Sequence, residues 1–466
     1  MLDPAPLAPY SGRFSARQAA HLLRRAGFGG TAADVSQLAS LGASRAVDSL
    51  LHPPSEDVAF PLYPTPDMLF APGGKAKLNT QMWYLDRMLR TKQPLNEKMT
   101  LFWHGHFATS INKVPAPLMA QQIDLFRQAG LGNFRNLLSA VSIDPAMSVW
   151  LDNRYNTKAH PNENYAREVM ELFALGLGNY TEDDVKEGAR AFTGWPYNGK
   201  AQTVSFVPAQ HDDGLKTFLG RTGGFGLDDV VNIIVMQPVH QRFISRKLLE
   251  YFVYSDPEPE LIEAVAQTYA LSGYDIAKTV GSILRSNVFY STRAYRALPK
   301  SPIEYVVGLL RFTGATSIPT NVPDFLRRMG QEPLAPPSVK GWDGGPTWIN
   351  TNTLLTRFNF VNNLIATSAA KANMPSTAPN VQPDTLVQQA GGLNPDRIVA
   401  TIVTEALQDD VTSDVRQTLI GYLNSNGNVA SAGSQANAIP FGPENYQDKV
   451  RGAVALTLNL PVNQLN

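Results

Sequence analysis

The sequence predicts a mainly α-helical protein with one small β-hairpin near residues 203–219. Apolar side chains recur at intervals of three and four along most of the 466 residues, which is the spacing of one helix face. Only the segments 203–207 and 216–219 alternate between polar and apolar residues, as strands do. Helix-capping residues also precede many apolar runs, and glycines follow them. We therefore expect one large helical body.

Composition excludes several classes of protein. Hydrophobic residues make up 43% and charged residues 17% of the chain, which is typical of a globular protein with a large core. Forty Lys and Arg balance forty Asp and Glu, so charge does not indicate a nucleic-acid partner. The lack of cysteine excludes disulfides and thiol catalysis. No apolar run is long enough for a transmembrane segment and no signal peptide is evident, so the residues alone predict a cytoplasmic protein.

A hairpin of two helices at 161–195 is the predicted centre of the fold. Pro161 suits the first position of a helix, and Gly176 suits its end. Thr181 begins the second helix with acidic residues in the first turn, and Gly194 ends it. The two helices should therefore pack against each other as an antiparallel pair.

Two carboxylates on the first of these helices need a partner. Glu168 and Glu171 lie one turn apart, on a stripe shared with Asn164, and would repel each other. When such a pair is shielded from water, one carboxylate takes up a proton, a cation or a metal ion. Arg167 and Glu163 on the neighbouring flank would form an intrahelical ion pair. The stripe therefore indicates either ion pairing or a site in which the carboxylates bind a metal ion or act as a catalytic acid.

Two histidines at positions 104 and 106 are candidate metal ligands. On a continuous helix they would point about 200° apart, but Gly105 between them favours a break that turns both to one side. His211 and Asp212 are expected at the tip of the β-hairpin. A divalent zinc, iron or manganese ion would suit these side chains. The predicted metal ligands are His104, His106, Glu168, Glu171 and His211.

Further polar and aromatic residues complete the predicted site. No nucleotide cofactor is expected, because Gly27-Phe-Gly-Gly30 neither follows a strand nor precedes Gly-Lys-Ser/Thr. The predicted catalytic residues are Glu163, Glu168, Arg167 and Arg190. The predicted binding residues are Asn162, Asn164, Trp195, Asp212, Lys340 and Trp342.

Two polar stretches suggest how the chain is divided. Residues 1–366 are predicted to form the large helical body around the hairpin. Residues 367–466 are predicted to be a C-terminal helical segment that packs on it. The polar linkers are expected near 370–394 and 424–438, where Ala, Pro, Asn, Gln, Ser and Gly replace the apolar periodicity.

Several motifs, taken together and in order, resemble a bacterial family, domain of unknown function 1800. The resemblance covers nearly the whole chain and implies no reaction. It does imply a neighbouring gene. Members are mostly encoded beside a sulfatase-like family, domain of unknown function 1501, whose proteins carry export signals. An envelope or periplasmic location and a sulfatase-like partner are thus expected from the resemblance. The motifs are His21-Leu-Leu-Arg-Arg-Ala-Gly-Phe-Gly29, Trp103-His-Gly-His-Phe107, Asp144-Pro-Ala-Met147, Asn162-Glu-Asn-Tyr-Ala-Arg-Glu-Val-Met-Glu-Leu172, Tyr180-Thr-Glu-Asp-Asp184, Ala189-Arg-Ala-Phe-Thr-Gly-Trp195, His211-Asp212 and Lys340-Gly-Trp342.

Three functions remain open. A metal ion held by histidines and glutamates would activate water in a hydrolase of the bacterial envelope. Paired carboxylates without a metal would cleave a glycan, with one glutamate as the proton donor. Alternatively, the motif residues would form a polar network in a non-enzymatic scaffold or partner of the co-encoded sulfatase-like protein. We choose the metal-dependent hydrolase as the prediction that is most directly tested.

Overall fold

The computed structural model describes residues 7–55, 63–365, 382–425 and 441–466. Helices dominate this part of the chain, and its strands form two antiparallel sheets of two strands each. The prediction of a mainly α protein with a small β component is therefore confirmed. None of the helices in these ranges combines the length and the apolar character needed to cross a bilayer.

The helices before residue 195 carry most of the motifs. A π-helix, Val169–Ala174, continues directly from α10. In chain order the α-helices are α1 (Ala16–Arg25), α2 (Ala32–Leu41), α3 (Ala43–Leu51), α4 (Pro66–Leu69), α5 (Lys75–Arg90), α6 (Pro94–His106), α7 (Ala116–Ala129), α8 (Phe134–Ser142), α9 (Pro145–Trp150), α10 (Glu163–Glu168) and α11 (Glu182–Ala191).

The four short strands separate these helices from the second half of the chain. They are β1 (Tyr197–Asn198), β2 (Thr203–Val204), β3 (Lys216–Phe218) and β4 (Arg221–Gly223). The helices that follow are α12 (Leu227–Val235), α13 (Pro238–Phe252), α14 (Pro259–Leu271), α15 (Ile276–Leu284), α16 (Pro302–Phe312), α17 (Val322–Arg328), α18 (Thr351–Ile365), α19 (Pro383–Gln389), α20 (Pro395–Leu407), α21 (Ser413–Asn424) and α22 (Tyr446–Leu458).

One hydrophobic core connects the helices from α1 to α22. The C-terminal segment also forms backbone hydrogen bonds with the body: the Lys300 N–H donates to the Gln464 carbonyl at 2.8 Å. The division of the chain near residue 366 stays a prediction. Helix α19 lies inside the predicted linker 370–394, and nearly all of the linker predicted at 424–438 lies outside the described residues.

The first helix of the central hairpin differs from the prediction at its start and in its second half. Asn162 caps α10, because its side-chain oxygen accepts a hydrogen bond from the Asn164 N–H at 3.0 Å. Pro161 therefore precedes the helix. The helix then widens into the π-helix and ends, as predicted, at Gly176 with φ of +83°. π-Helices are rare and often lie at functional sites.

The β component consists of two short hairpins rather than the one predicted pairing. β1 pairs with β2 and β3 pairs with β4, so the two predicted strands have different partners. β3 and β4 are joined by the two-residue turn Leu219-Gly220, in which both residues have positive φ, as in a type I′ hairpin. A tight turn favours pairing between strands that are adjacent in sequence. His211 and Asp212 consequently lie in the loop between the hairpins.

The predicted break at Gly105 does not occur. Helix α6 continues through His106, so His104 and His106 point to different sides, about 200° apart. One glycine costs a helix roughly 0.5 to 1 kcal/mol. The burial of most of the α6 side chains offsets this cost, because each large apolar side chain contributes about 1.5 to 3 kcal/mol.

Candidate functional site

Arg167 connects the two helices of the central hairpin. Its Nη1 and Nη2 donate to the two carboxylate oxygens of Glu182 on α11, at 2.7 and 2.8 Å. Nη2 also lies 3.3 Å from the Glu163 carboxylate, one turn earlier on α10. The hydrogen bonds to Glu182 are the main cause that raises the pKa of Arg167. The guanidinium is thus engaged within the hairpin.

Arg190 holds the loop that follows α11. Its Nε and Nη2 donate to the two carboxylate oxygens of Asp212 at 2.7 and 3.1 Å, and its Nη1 donates to Glu187 at 2.8 Å. Hydrogen bonding from Arg190 lowers the pKa of Asp212 to about 2. The Asp212 N–H in turn donates to the Thr193 hydroxyl at 2.9 Å. Arg190 and Asp212 therefore form a charged structural pair.

Glu168 differs from the other charged residues of the hairpin. Its neighbour Glu171 accepts a hydrogen bond from the Tyr180 hydroxyl at 2.7 Å. Glu168 itself forms no hydrogen bond or salt bridge within the described ranges. Burial, and next the charge of Glu171, raise the pKa of Glu168, while Arg167 opposes the shift. The predicted pair of neighbouring carboxylates is present, and one of them is unpaired.

Two histidines donate hydrogen bonds to the last carbonyls of the π-helix. His106 donates from Nε2 to the Phe173 carbonyl at 2.9 Å, and His240 donates from Nδ1 to the Ala174 carbonyl at 3.1 Å. A carbonyl only accepts, so each bond determines the tautomer of its ring. Burial lowers the pKa of His106 to about 3 and that of His240 to about 4. Both rings are neutral at pH 7 and stabilise the widened turn.

His104 lies on the other side of α6, beside the loop that carries Lys340 and Trp342. Its ring is completely buried, with centroids 5.6 Å from Trp342 and 6.2 Å from Tyr84. Neither ring nitrogen has a hydrogen-bond partner in the described chain. Burial lowers the pKa of His104 to about 3. The Lys340 ammonium group is exposed and lies 3.3 Å from the Asp343 carboxylate. The motif Lys340-Gly-Trp342 therefore contacts His104 through the ring of Trp342.

His211 stabilises the end of α11. Its Nδ1 donates to the Thr193 carbonyl at 2.9 Å. The ring of Phe206 lies 5.5 Å from His211 and 5.0 Å from Trp195, centroid to centroid. Trp195 is half-buried in this contact. The predicted binding residue and the predicted metal ligand thus belong to one packed cluster.

The two predicted binding asparagines attach α10 to the turn before it. Asn162 donates from Nδ2 to the Asp152 carbonyl at 2.9 Å. Asn164 donates from Nδ2 to the Leu151 carbonyl at 3.4 Å. Since these amides bind backbone groups, their contacts are structural.

The predicted metal ligands are distributed over separate parts of the fold. His104 and His106 point to different sides of α6, and His211 is held at the end of α11. In residues 7–55, 63–365, 382–425 and 441–466, no three side chains of His, Asp or Glu lie close enough to hold one metal ion. Ligation by this set would require the chain to rearrange.

A buried carboxyl group at Asp144 was not predicted as a functional residue. Its Oδ2 accepts hydrogen bonds from the Met147 N–H at 2.8 Å and from the Gln122 side chain at 2.7 Å. The Thr109 hydroxyl donates to Gln122. Burial raises the pKa of Asp144 to about 7. In the sequence, Asp144-Pro-Ala-Met147 stood out only as one of the family motifs, and the burial of Asp144 depends on packing against α7, which carries Gln122.

The fold and the site define a mainly helical protein whose polar motifs bind one another and the backbone. The model of the family described as "Protein of unknown function (DUF1800)" matches residues 21–465, so the chain belongs to this family. The family resemblance seen in the motifs is therefore confirmed. No curated protein and no solved structure matches the chain.

Proposed function

We propose that this protein is a non-enzymatic helical partner protein of the bacterial envelope. One observation carries the proposal: the motif side chains Arg167, Arg190, His106 and His211 are all hydrogen-bonded to other parts of the same chain. Side chains that are hydrogen-bonded within the chain stabilise the surface that they form. They have few N–H groups left to bind a substrate. The proposed partner is the co-encoded sulfatase-like protein, which rests on the gene neighbourhood expected for the family.

The partner is tested by co-expressing this chain, untagged, with a tagged copy of the sulfatase-like protein encoded beside it. We expect both proteins to elute from affinity and size-exclusion columns as one complex of defined mass, measured by light scattering. An unrelated tagged envelope protein serves as the control bait. Separate elution of two well-folded proteins at micromolar concentration would contradict the proposed partnership.

The metal-dependent hydrolase is the second candidate. The observation in its favour is Glu168, whose carboxyl is half-buried, lacks a hydrogen bond within the described ranges and has a raised pKa. A carboxyl group with a raised pKa and no hydrogen-bond partner is suited to act as a general acid or base. In this function Glu168 would be a ligand or the general base, and a zinc, iron or manganese ion would require a rearrangement that frees His106 from the Phe173 carbonyl.

Replacing His106 and Glu168 separately distinguishes the two candidates. We expect His106→Ala to lower the free energy of unfolding by about 1 to 3 kcal/mol, because the Phe173 carbonyl loses its donor. Glu168→Gln should leave stability unchanged or raise it slightly, because it removes repulsion from Glu171. Neither variant should change the metal content. Chemical denaturation and elemental analysis by mass spectrometry measure the two quantities.

His106→Gln is the matched control, because its amide retains an N–H donor. It should recover part of the stability that His106→Ala loses. Near-stoichiometric zinc, iron or manganese in the purified protein, lost in Glu168→Gln without a change in helix content, would support the hydrolase and contradict the structural role.

A further inference from the structure

A pocket lies between the body and the C-terminal segment, away from the central hairpin. Its walls come from α1, from the loop after Phe28, from α16 and from residues near the ends of α20 and α22. About 60 Å³ is open to the centre of a water molecule. One water needs roughly 10 to 15 Å³ on this measure. The pocket therefore has room for a few waters or for one small ion.

Arg24 is the unusual residue of this pocket. Its side chain is 9% exposed, and Nη1 donates to the Gln408 side chain at 2.7 Å. Nε and Nη2, which form one edge of the guanidinium, are buried without a hydrogen-bond partner in the described ranges. Buried donors without acceptors cost free energy, because their hydration is lost without compensation. The Tyr295 side chain, whose ring centroid lies 5.7 Å from the guanidinium carbon, partly stabilises the charge of Arg24. Within the described ranges, however, neither Nε nor Nη2 has an acceptor at hydrogen-bond distance.

The same edge of an arginine binds a carboxylate elsewhere in this chain. Nε and Nη2 of Arg190 donate to the two oxygens of Asp212. Nε and Nη2 of Arg127 donate in the same way to the two oxygens of Glu97. Two parallel N–H groups match the two oxygens of a carboxylate or phosphate. The free edge of Arg24 therefore has the chemistry of an oxyanion receptor.

Lys300 adds a second basic group to the pocket. Burial, and next the charge of Arg24, lower the pKa of Lys300 well below its usual value, while Glu304 opposes the shift; an anion in the pocket would favour the charged form. The Lys300 ammonium group donates to the neutral Asn463 side chain at 3.1 Å. Glu304 is already paired with Lys98. Glu405 forms its side-chain hydrogen bond with Gln389, and the charges that shift the pKa values of Arg24 and Lys300 come from other residues. Among the pocket side chains, Arg24 and Lys300 are thus left without an acidic partner.

Neighbouring arginines increase this positive charge. Arg296 lies near Arg24 but is paired with Asp410 at 2.8 Å. Arg357 binds the Gln464 side chain at 3.1 Å and the Lys300 carbonyl at 2.8 Å, both neutral acceptors. Burial, and next the charge of Arg296, lower the pKa of Arg24 to about 10, while Tyr295 and Asp410 oppose the shift. An anion in the pocket would offset the repulsion between these buried positive charges.

We propose that this pocket binds a small oxyanion, a phosphate or a carboxylate group, through Arg24 and Lys300. The ligand would hold the C-terminal segment against α1, since Gln408 and Asn463 of that segment bind the same two cations. The site does not depend on the proposed partner or on any reaction at the central hairpin.

Binding is tested with inorganic phosphate and, separately, with acetate, each at low millimolar concentration and at constant ionic strength set with sodium chloride. Titration calorimetry and the melting temperature are measured for the full chain and for Arg24→Gln, Lys300→Gln and Arg13→Gln. Arg13 is exposed just before α1, so Arg13→Gln controls for net charge. We expect one of the two anions to raise the melting temperature of the wild type and of Arg13→Gln.

Arg24→Gln should bind that anion about tenfold more weakly or worse, because a charge-assisted bidentate pair is lost. Without the anion, Arg24→Gln should melt at the same temperature as the wild type or higher, because a buried unpaired charge has been removed. Lys300→Gln provides a second test if Arg24→Gln does not fold. Equal responses of all four proteins, or no binding of either anion to the wild type, would overturn the proposal.

Discussion

Replacing Asp144 by asparagine is expected to stabilise the protein at pH 8 and to change its stability little at pH 4. Burial raises the pKa of Asp144 to about 7 in the folded protein, above the value near 3.9 of an unfolded chain. The folded state therefore holds a proton that the unfolded state has already released. The contribution of Asp144 to stability is fully present below about pH 4 and is lost as the pH rises from about 4 to about 7.

The expected difference in the free energy of unfolding is large because the pKa of Asp144 is shifted by about three units. It amounts to as much as about 4 kcal/mol at pH 8, from 1.36 kcal/mol per unit. Asparagine retains the oxygen that accepts from Met147 and Gln122, and it remains a good helix cap, while it has no proton to lose. Urea denaturation of both proteins at several pH values measures the effect.

Asp275→Asn is the control for this experiment. Asp275 also caps a helix, because its side chain accepts from the Lys278 N–H at 2.9 Å, but 31% of its side chain is exposed. We expect the same substitution there to alter the pH profile much less. Parallel pH profiles of the wild type and Asp144→Asn would contradict the assignment of a titrating proton to Asp144.

Gly341→Ala is expected to destabilise the protein by about 2 to 4 kcal/mol, from a left-handed backbone and a steric clash. Gly341 has φ of +86°. A Cβ atom there would lie 2.3 Å from the carbonyl oxygen of Gly105. Gly341 and Gly105 are the chain neighbours of Trp342 and His104, whose ring centroids lie 5.6 Å apart. Thermal and chemical denaturation measure the loss.

Gly345→Ala separates the two causes. Gly345 also has a positive φ, +57°, but no atom lies within 4 Å of the position where a Cβ would be. This variant should lose only about 1 to 2 kcal/mol, the cost of a left-handed backbone for a residue with a Cβ atom. Equal losses in the two variants would mean that the contact between Gly341 and Gly105 does not matter.

Local signals in the sequence predicted much of the helical structure. Thr181 caps α11 in a reciprocal box with Asp184, and Gly176 and Gly194 have positive φ where the helices end. The ion pair between Arg167 and Glu163 was also foreseen. These features depend on residues three or four apart, so the sequence contains all the information that they need.

The sequence could not show which candidate residues meet in space. His106 binds a carbonyl 67 positions away, and nothing in the pattern around His240 distinguished it from an ordinary helical residue. The π-helix was missed because its apolar spacing resembles that of an α-helix. The pairing of the histidines with backbone carbonyls, rather than with Glu168 and Glu171, is likewise a tertiary result.

The sequence by itself determined the family, the helical class and the C-terminal ends of both hairpin helices, because capping and periodicity act over a few residues. The tertiary structure alone decided which polar groups are buried. Packing against α7 excludes water from Asp144. Arg24 donates to an acceptor 384 positions away, while its Nε and Nη2 have no hydrogen-bond partner among the described residues. Desolvation depends on every neighbour in space, and for these residues most of the neighbours are distant in the chain.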